Sequence, residues 1–263
     1  MPEGHVLHRL AREQQELAGS TVRVSSPQGR FAEGAAQLDG RVVEAVEAVG
    51  KHLLHRFGDD ALHTHLGMRG VWYRSAPPSP EPRPSVRVRL AAPDVAWDLM
   101  APITCEVLDA DGVRALRDRL GPDPLRGDAD PERFVRALSA DRRALGVVLL
   151  DQSVLAGVGN VFRTEALFAC RLHPGRSSLT VPSEEARALW DTLSGMMRRG
   201  VEDGRIITVD VPAGSDRLDV PEEVARRVYK RERCAECGAE VVTWQLGGRV
   251  AYACPVDQPA EGP

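Results

Sequence analysis

The spacing of apolar residues turns from strand-like to helical at Gly121-Pro122-Asp123-Pro124, and a chain that does so must fold as two kinds of structure. Before the break, β-branched residues in partial alternation predict strands over 21–24, 42–49, 51–57 and 86–90. A Gly-Asp-Asp turn falls at 58–60, and five prolines within 76–85 predict a loop. A β-sandwich or flattened barrel follows for this half. One helix precedes it, over 4–17, with Val6, Leu7, Leu10 and Leu17 near one face and Gly19 as its stop. After the break the period is helical over 131–138, 141–150, 161–170 and 183–198. Residues 206–218 return to loop or short hairpin, and 221–229 read as a short helix. The fold class is α+β.

Hydrophobic residues make up 43% of the 263, enough for a buried core. No apolar run reaches the length of a membrane span and no signal pattern opens the chain. The expectation is a cytoplasmic protein, nucleoid-associated in a prokaryote, with no membrane partner. The net charge of −4 does not mark a nucleic-acid binder, yet Arg226, Arg227, Lys230, Arg231 and Arg233 stand against one acid, Glu232. A local basic face holds phosphates even on an acidic chain, although such a run is also an ordinary solvated helix face. Of 34 basic residues only Lys51 and Lys230 are lysine. Lysine exchanges a proton where arginine does not, which singles out Lys51.

The chain begins Met1-Pro2-Glu3-Gly4. Removal of Met1 would leave Pro2 with a free secondary amine. An α-amino group titrates near roughly 7.7–8.0, far below lysine, so more of it is neutral and nucleophilic. Attack on a sugar C1′ would give an iminium ion, an electron sink that favours loss of the 3′ phosphate. Glu3 beside it could move protons. The alternative is plain helix initiation, with proline in the first turn and an acid near the positive end.

Cysteine usage points to a metal. The odd count of five, without a signal peptide, argues against a disulfide scaffold. Cys105 and Cys170 sit alone in apolar stretches and read as small buried residues. Cys234-x2-Cys237, sixteen residues, then Cys254-x2-Asp257 fits a tetrahedral zinc ribbon, with one structural Zn2+. Asp257 either completes the site through oxygen or misses the metal, and a metal-free hairpin is the bland reading.

Four stretches taken in order carry a resemblance: Pro2-Glu3-Gly4; Gly50-Lys51-His52-Leu53-Leu54; His65-Leu66-Gly67-Met68-Arg69-Gly70; and Asp151 through Gly157-Val158-Gly159-Asn160. With the cysteine cluster, they make the chain similar to the formamidopyrimidine-DNA glycosylase / endonuclease VIII family over nearly its whole length. The resemblance implies an N-terminal catalytic β-sandwich domain with its helix (1–120), a helix–two-turn–helix DNA-binding domain (121–222) and a zinc-finger hairpin and tail (223–263).

By the same resemblance, Pro2 is the Schiff-base nucleophile, Glu3 its acid/base partner and Lys51 the hairpin lysine that contacts DNA and assists proton transfer. Met68 and Arg69 lie where members push side chains into the duplex; an unbranched wedge such as Met68 fills the gap left by an everted nucleotide, unless it is a core methionine. Gly157 and Asn160 belong to the helix–two-turn–helix. Glycine there permits close approach, and Asn160 reads as the N-cap of the following helix, whose free N–H groups hold phosphate. Arg249, after Gly248, corresponds to the arginine at the finger tip; its planar fork suits phosphate.

Two departures matter. A second glutamate shortly after Pro-Glu-Gly is common in the family; here His5 and Val6 stand there. The Arg-Arg-Phe-Gly stretch of the purine-directed branch is also missing from 98–105, which places the resemblance on the endonuclease VIII side. The implied function is a bifunctional DNA glycosylase / AP lyase of base excision repair. It would act as a monomer on damaged DNA, remove oxidised bases, pyrimidines by preference, and cut by β- or β,δ-elimination. The alternatives are a damage-binding relative without turnover, or a zinc-ribbon interaction module joined to an unrelated β-domain.

Overall fold

The computed structural model describes residues 2–260. The chain divides into two compact units, one ending at Arg119 and the other starting at Leu120.

The first unit opens with helix α1 (Gly4–Gln14). Its buried face carries Gly4, His5, Leu7, Ala11 and Gln14, whereas Val6 and Leu10 are only half-buried. The stripe is thus rotated from the purely apolar one, because His5 and Gln14 are buried as well. Two sheets follow. One has the order β1 (Arg23–Ser25), β6 (Val86–Ala91), β7 (Ala96–Met100), β5 (Val71–Ser75). The other has β2 (Ala45–Val49), β3 (His52–Phe57), β4 (Asp60–His65), β8 (Thr104–Leu108). All pairs are antiparallel, and the prolines of 76–85 lie between β5 and β6.

This sandwich closes over Leu17, Leu38, Leu53, Leu62, Val88, Leu90 and Leu99, each almost fully removed from water. Glu16 accepts from both Arg74 (2.8 and 2.9 Å) and Trp97 Nε1 (2.8 Å), tying the end of the helical segment to β5 and β7. Two helices had no clear signal in the strand-rich half: α2 (Ala32–Leu38) and α3 (Ala110–Asp118). The latter is capped by Asp109, whose carboxylate accepts from Gly112 N at 2.7 Å.

The second unit contains α4 (Pro131–Ser139), α5 (Leu145–Val148), α6 (Asn160–Ala169), α7 (Ser183–Asp203) and a hairpin of β9 (Val242–Leu246) and β10 (Arg249–Ala253). Its core gathers Phe134, Leu138, Leu149, Phe162, Leu167, Leu189 and Met197.

Two expected helices are shorter than their pattern. Over 141–150 only α5 is helical. Asp141 and Arg143 pair locally, while Leu145 N and Gly146 N donate to the carbonyls of Arg176 and Pro174, both at 2.8 Å. A neighbouring segment therefore satisfies the N–H groups that a longer helix would have used. Over 221–229 a single 3₁₀ turn forms at Glu222–Val224. Beyond it the backbone N–H groups of Arg227, Val228 and Tyr229 donate to the buried carboxylate of Glu165, at 2.8, 3.0 and 2.7 Å. Three donors converging on one anion require a curled backbone rather than a helix.

Among the described residues no helix is long and apolar enough to cross a membrane.

Candidate functional site

In the first unit, β2 and β3 are joined by the two-residue turn Gly50-Lys51, with Val49 opposite His52. Gly50 has φ 59°, and a positive φ at the first central position is what a type II′ hairpin turn demands. Lys51 is thereby lifted to the hairpin tip, half-buried.

Helix α1 packs along β2 and β3. Its far end is fixed where Gln15 Oε1 accepts from Val46 N (3.1 Å) and Gln14 Oε1 meets His55 Nε2 (2.6 Å). Val46 and His55 face each other across the pair. The 11 helical residues and the 5 of β2 each span about 16 Å. The helix and the strand it packs along are thus of equal length. Glu3 is the N-cap residue, fully buried, and its side chain makes no capping hydrogen bond. Half-buried Pro2 stands before the helix rather than at its first position. Met1, whose removal would free the Pro2 nitrogen, lies outside the described residues.

β4 ends at His65, opposite His52, and the chain then turns through Leu66-Gly67-Met68-Arg69. Met68 is 66% exposed, so it is not a core methionine, and Arg69 is exposed too. Ile103, whose N–H donates to His65 O at 3.0 Å, is 69% exposed and packs against Gly67. It is a second large apolar side chain on this edge that the sequence reading did not single out. Its signal was only an isoleucine between proline and threonine in a turn.

The same edge carries a histidine cluster that the sequence reading also missed, although His63 and His65 alternate on β4 and His52 faces them on β3. His52 Nδ1 lies 2.9 Å from His63 Nε2, and His63 Nδ1 lies 2.9 Å from Glu106 Oε1. The His52 and His65 rings meet edge to face at 4.9 Å, and His65 Nδ1 accepts from Gly67 N at 3.0 Å. Burial, reinforced by the charges of His63, His65, Arg119 and Lys51, holds His52 down to about 3. Burial also lowers His63 and His65; Glu106 opposes the shift at His63, and the Lys51 charge adds to it at His65.

In the second unit, Gly157 is buried with φ 90°, and its N–H donates to Gln152 Oε1 at 3.0 Å. Asn160 is not the N-cap of α6: Gly159 holds that position, and Asn160 is the first helical residue. Its amide is turned to the hairpin instead, with Nδ2 donating to Val250 O at 3.1 Å and Oδ1 buried without a partner. Arg163, 1% exposed, donates to the same Val250 carbonyl (3.0 Å) and to Gly146 O (2.9 Å). A pattern of apolar spacing could not reveal this buried arginine. The hairpin tip is Gly247-Gly248, with φ 60° and 75°, the double positive φ of a type I′ turn, and it presents exposed Arg249 as the first residue of β10. Arg249 and Asn160 are thus joined through one strand.

Below the hairpin, Cys234, Cys237, Cys254 and Asp257 bring one ligand atom each to within 4.8 Å of one another. Cys237 Sγ and Cys254 Sγ are 3.3 Å apart; Asp257 Oδ2 lies 3.3 Å from Cys234 Sγ and 3.2 Å from Cys254 Sγ. Thiolates at about 2.3 Å from a tetrahedral zinc stand about 3.8 Å apart. The group fits that cage after an expansion of about half an ångström. Asp257 turns its other oxygen to Arg171, which also holds Glu236. The remaining cysteines, Cys105 and Cys170, are half-buried and unpaired by disulfide. Burial pushes the Cys105 thiol up to about 12 and raises that of Cys170.

Comparison with known proteins agrees with this arrangement. Residues 1–98 match the family model of the formamidopyrimidine-DNA glycosylase N-terminal domain, and 120–211 that of the H2TH domain. Endonuclease 8 1 of Mycobacterium tuberculosis is 43% identical over 98% of this chain and 100% of its own. The formamidopyrimidine-DNA glycosylase of Streptococcus pneumoniae is 31% identical over 83% and 82%. The crystal structure of Lactococcus lactis Fpg with DNA containing N7-benzyl-Fapy-dG has the same fold, with TM-score 0.81, 23% identity, and coverage of 98% of this chain and 100% of that one. The chain therefore belongs to the formamidopyrimidine-DNA glycosylase / endonuclease VIII family of DNA repair glycosylases, on its endonuclease VIII side.

Proposed function

We propose that the protein is a bifunctional glycosylase and AP lyase that excises oxidised pyrimidines from DNA through a Schiff base on Pro2. The observation that carries this reading is buried Glu3 at the start of α1, the helix that packs along β2 and β3, the two strands that hold Lys51 at their turn. One nucleophile, one carboxyl group and one ammonium then serve a single sugar.

The neutral Pro2 nitrogen attacks C1′, the C1′–N bond to the damaged base breaks, and the sugar ring opens to an iminium ion. Glu3 gives a proton to the ring oxygen. Loss of a C2′ proton sends its electron pair toward the cationic nitrogen, and the C3′–O bond breaks with departure of the phosphate. This is β-elimination; a second loss at C5′ would make it β,δ.

Lys51, Asn160 and Arg249 contact the phosphates beside the lesion, with the exposed Arg249 as the strongest grip and Gly157 allowing the backbone to come close. Met68 and Arg69 enter the stack where the nucleotide leaves it. Functional labour divides as 1–120 for chemistry, 121–222 for DNA binding and 223–263 for the finger. A zinc ion held by Cys234, Cys237, Cys254 and Asp257 would supply structural support only.

Borohydride trapping on duplexes containing an abasic site or 5-hydroxyuracil tests the reading. A covalent adduct and strand scission are expected, both lost in Pro2→Ala. Lesion-selective binding with neither adduct nor scission would leave a damage-binding protein without turnover, the reading to which Val6 and Asp257 lean.

A further inference from the structure

The family reading gives His52 and His63 no task, yet they form an ordered chain that ends beside Lys51. A carboxylate only accepts, so Glu106 requires the proton of His63 on Nδ1. His63 Nε2 then carries a lone pair and accepts from His52 Nδ1–H. His52 is left with its own lone pair on Nε2, which has no hydrogen-bond partner among the described residues. His65 is fixed the opposite way. Its Nδ1 accepts from Gly67 N, so the neutral ring carries its proton on Nε2. The edge thus presents one acceptor, His52 Nε2, and one donor, His65 Nε2–H, on rings 4.9 Å apart.

The charged groups around His52 are Lys51 on the turn, His63 and His65 on β4, and Arg119 after α3, with Glu106 on β8 reached through His63. Its surroundings are otherwise cationic or neutral, which keeps it uncharged at working pH. A neutral lone pair repels a phosphate and attracts an ammonium.

We propose that the Glu106–His63–His52 chain is a tautomer lock that makes His52 Nε2 the acceptor for the Lys51 ammonium, aiming that long, flexible side chain at a DNA phosphate. A lysine side chain has four rotatable bonds to restrain. A fixed acceptor at the root of its own turn restrains them, while His65 Nε2–H offers a donor on the neighbouring ring. His52 is in this sense a positioning residue. The proposal rests on the reading of Lys51 as a DNA contact.

Nitrogen-15 NMR of the histidine rings in the whole protein decides the lock first. His52 and His63 are expected as Nδ1–H tautomers and His65 as Nε2–H; an Nε2–H tautomer at His52 overturns the proposal. Affinity for a duplex carrying a tetrahydrofuran abasic analogue tests its use. His52→Phe is expected to bind about tenfold more weakly in the wild-type background and unchanged when Lys51 is already alanine. His52→Gln, which keeps an acceptor oxygen, should recover most of the loss and stands in if the phenylalanine variant does not fold. Equal losses in both backgrounds overturn the proposal. The analogue cannot form a Schiff base, so failure here is distinct from failure of trapping at Pro2.

Discussion

His55 shows how one side chain can set the acid limit of a fold. It is a residue of β3, fully buried against Gln14 of α1 and the Trp72 ring, and burial holds it down to about 3. The unfolded chain takes up its proton near pH 6.5. The folded pKa is thus depressed, so the contribution is whole above that pH and is lost as pH falls toward 3. Unfolding free energies from urea titrations should drop between pH 6 and 4, by about 1.4 kcal/mol per pH unit for each such histidine. His55→Leu should start less stable and lose stability less steeply; an unchanged slope would refute the assignment. Among the proposed site residues, the positions of Lys51, Met68 and Arg249 at turns, and of Pro2 before α1, were legible because glycines or a helix start flank them, and such features survive in a linear pattern. The lock of His52, His63 and Glu106 was not, because it depends on the register of three strands. Asn160 was misread as a cap for a related reason: its amide is drawn to a carbonyl ninety positions away.

At the scale of elements, α6 organises the second unit through two buried charges, Arg163 and Glu165. Glu165 accepts from three successive backbone N–H groups and from the Thr208 hydroxyl. Glu165→Ala would leave those donors without an acceptor and should cost about 3–5 kcal/mol. Glu165→Gln, with one oxygen left, should lose less. Denaturant unfolding compares them, and a loss under 1 kcal/mol for alanine would show that water replaces the carboxylate. Partners distant in the chain explain what the periodicity could and could not give. Long elements with one apolar face, such as α4 and α7, follow their pattern closely. Elements governed by a distant polar group do not: 221–229 curls around Glu165, and 141–150 surrenders its N–H groups to 174–176. The antiparallel strands of the first unit were legible as a class, but their order in two sheets was not, since pairing partners such as β1 and β6 lie far apart in the chain.

At the scale of the whole molecule, the cluster of Cys234, Cys237, Cys254 and Asp257 and the hairpin above it are separable supports. Chelation should lower the thermal midpoint by several degrees, as the small cluster of Phe168, Val228, Cys234, Val241 and Cys254 loosens. Asp257→Cys supplies a fourth thiolate and should slow metal release to a chelator by about tenfold, read by a colorimetric zinc indicator. Faster release would mean that the Arg171 pairing of Asp257 matters more than ligand softness. The hairpin itself has anchors besides that cluster. Its Val250 carbonyl is gripped by Asn160 and Arg163, and Trp244 stacks on His173 at 5.3 Å. An arm bolted to its frame at several points can tolerate a weakened rivet at its base. Exchange of a sulfur for an oxygen at 257 is the sort of drift that such redundancy permits, and the bearing of Arg249 toward its target would outlast it.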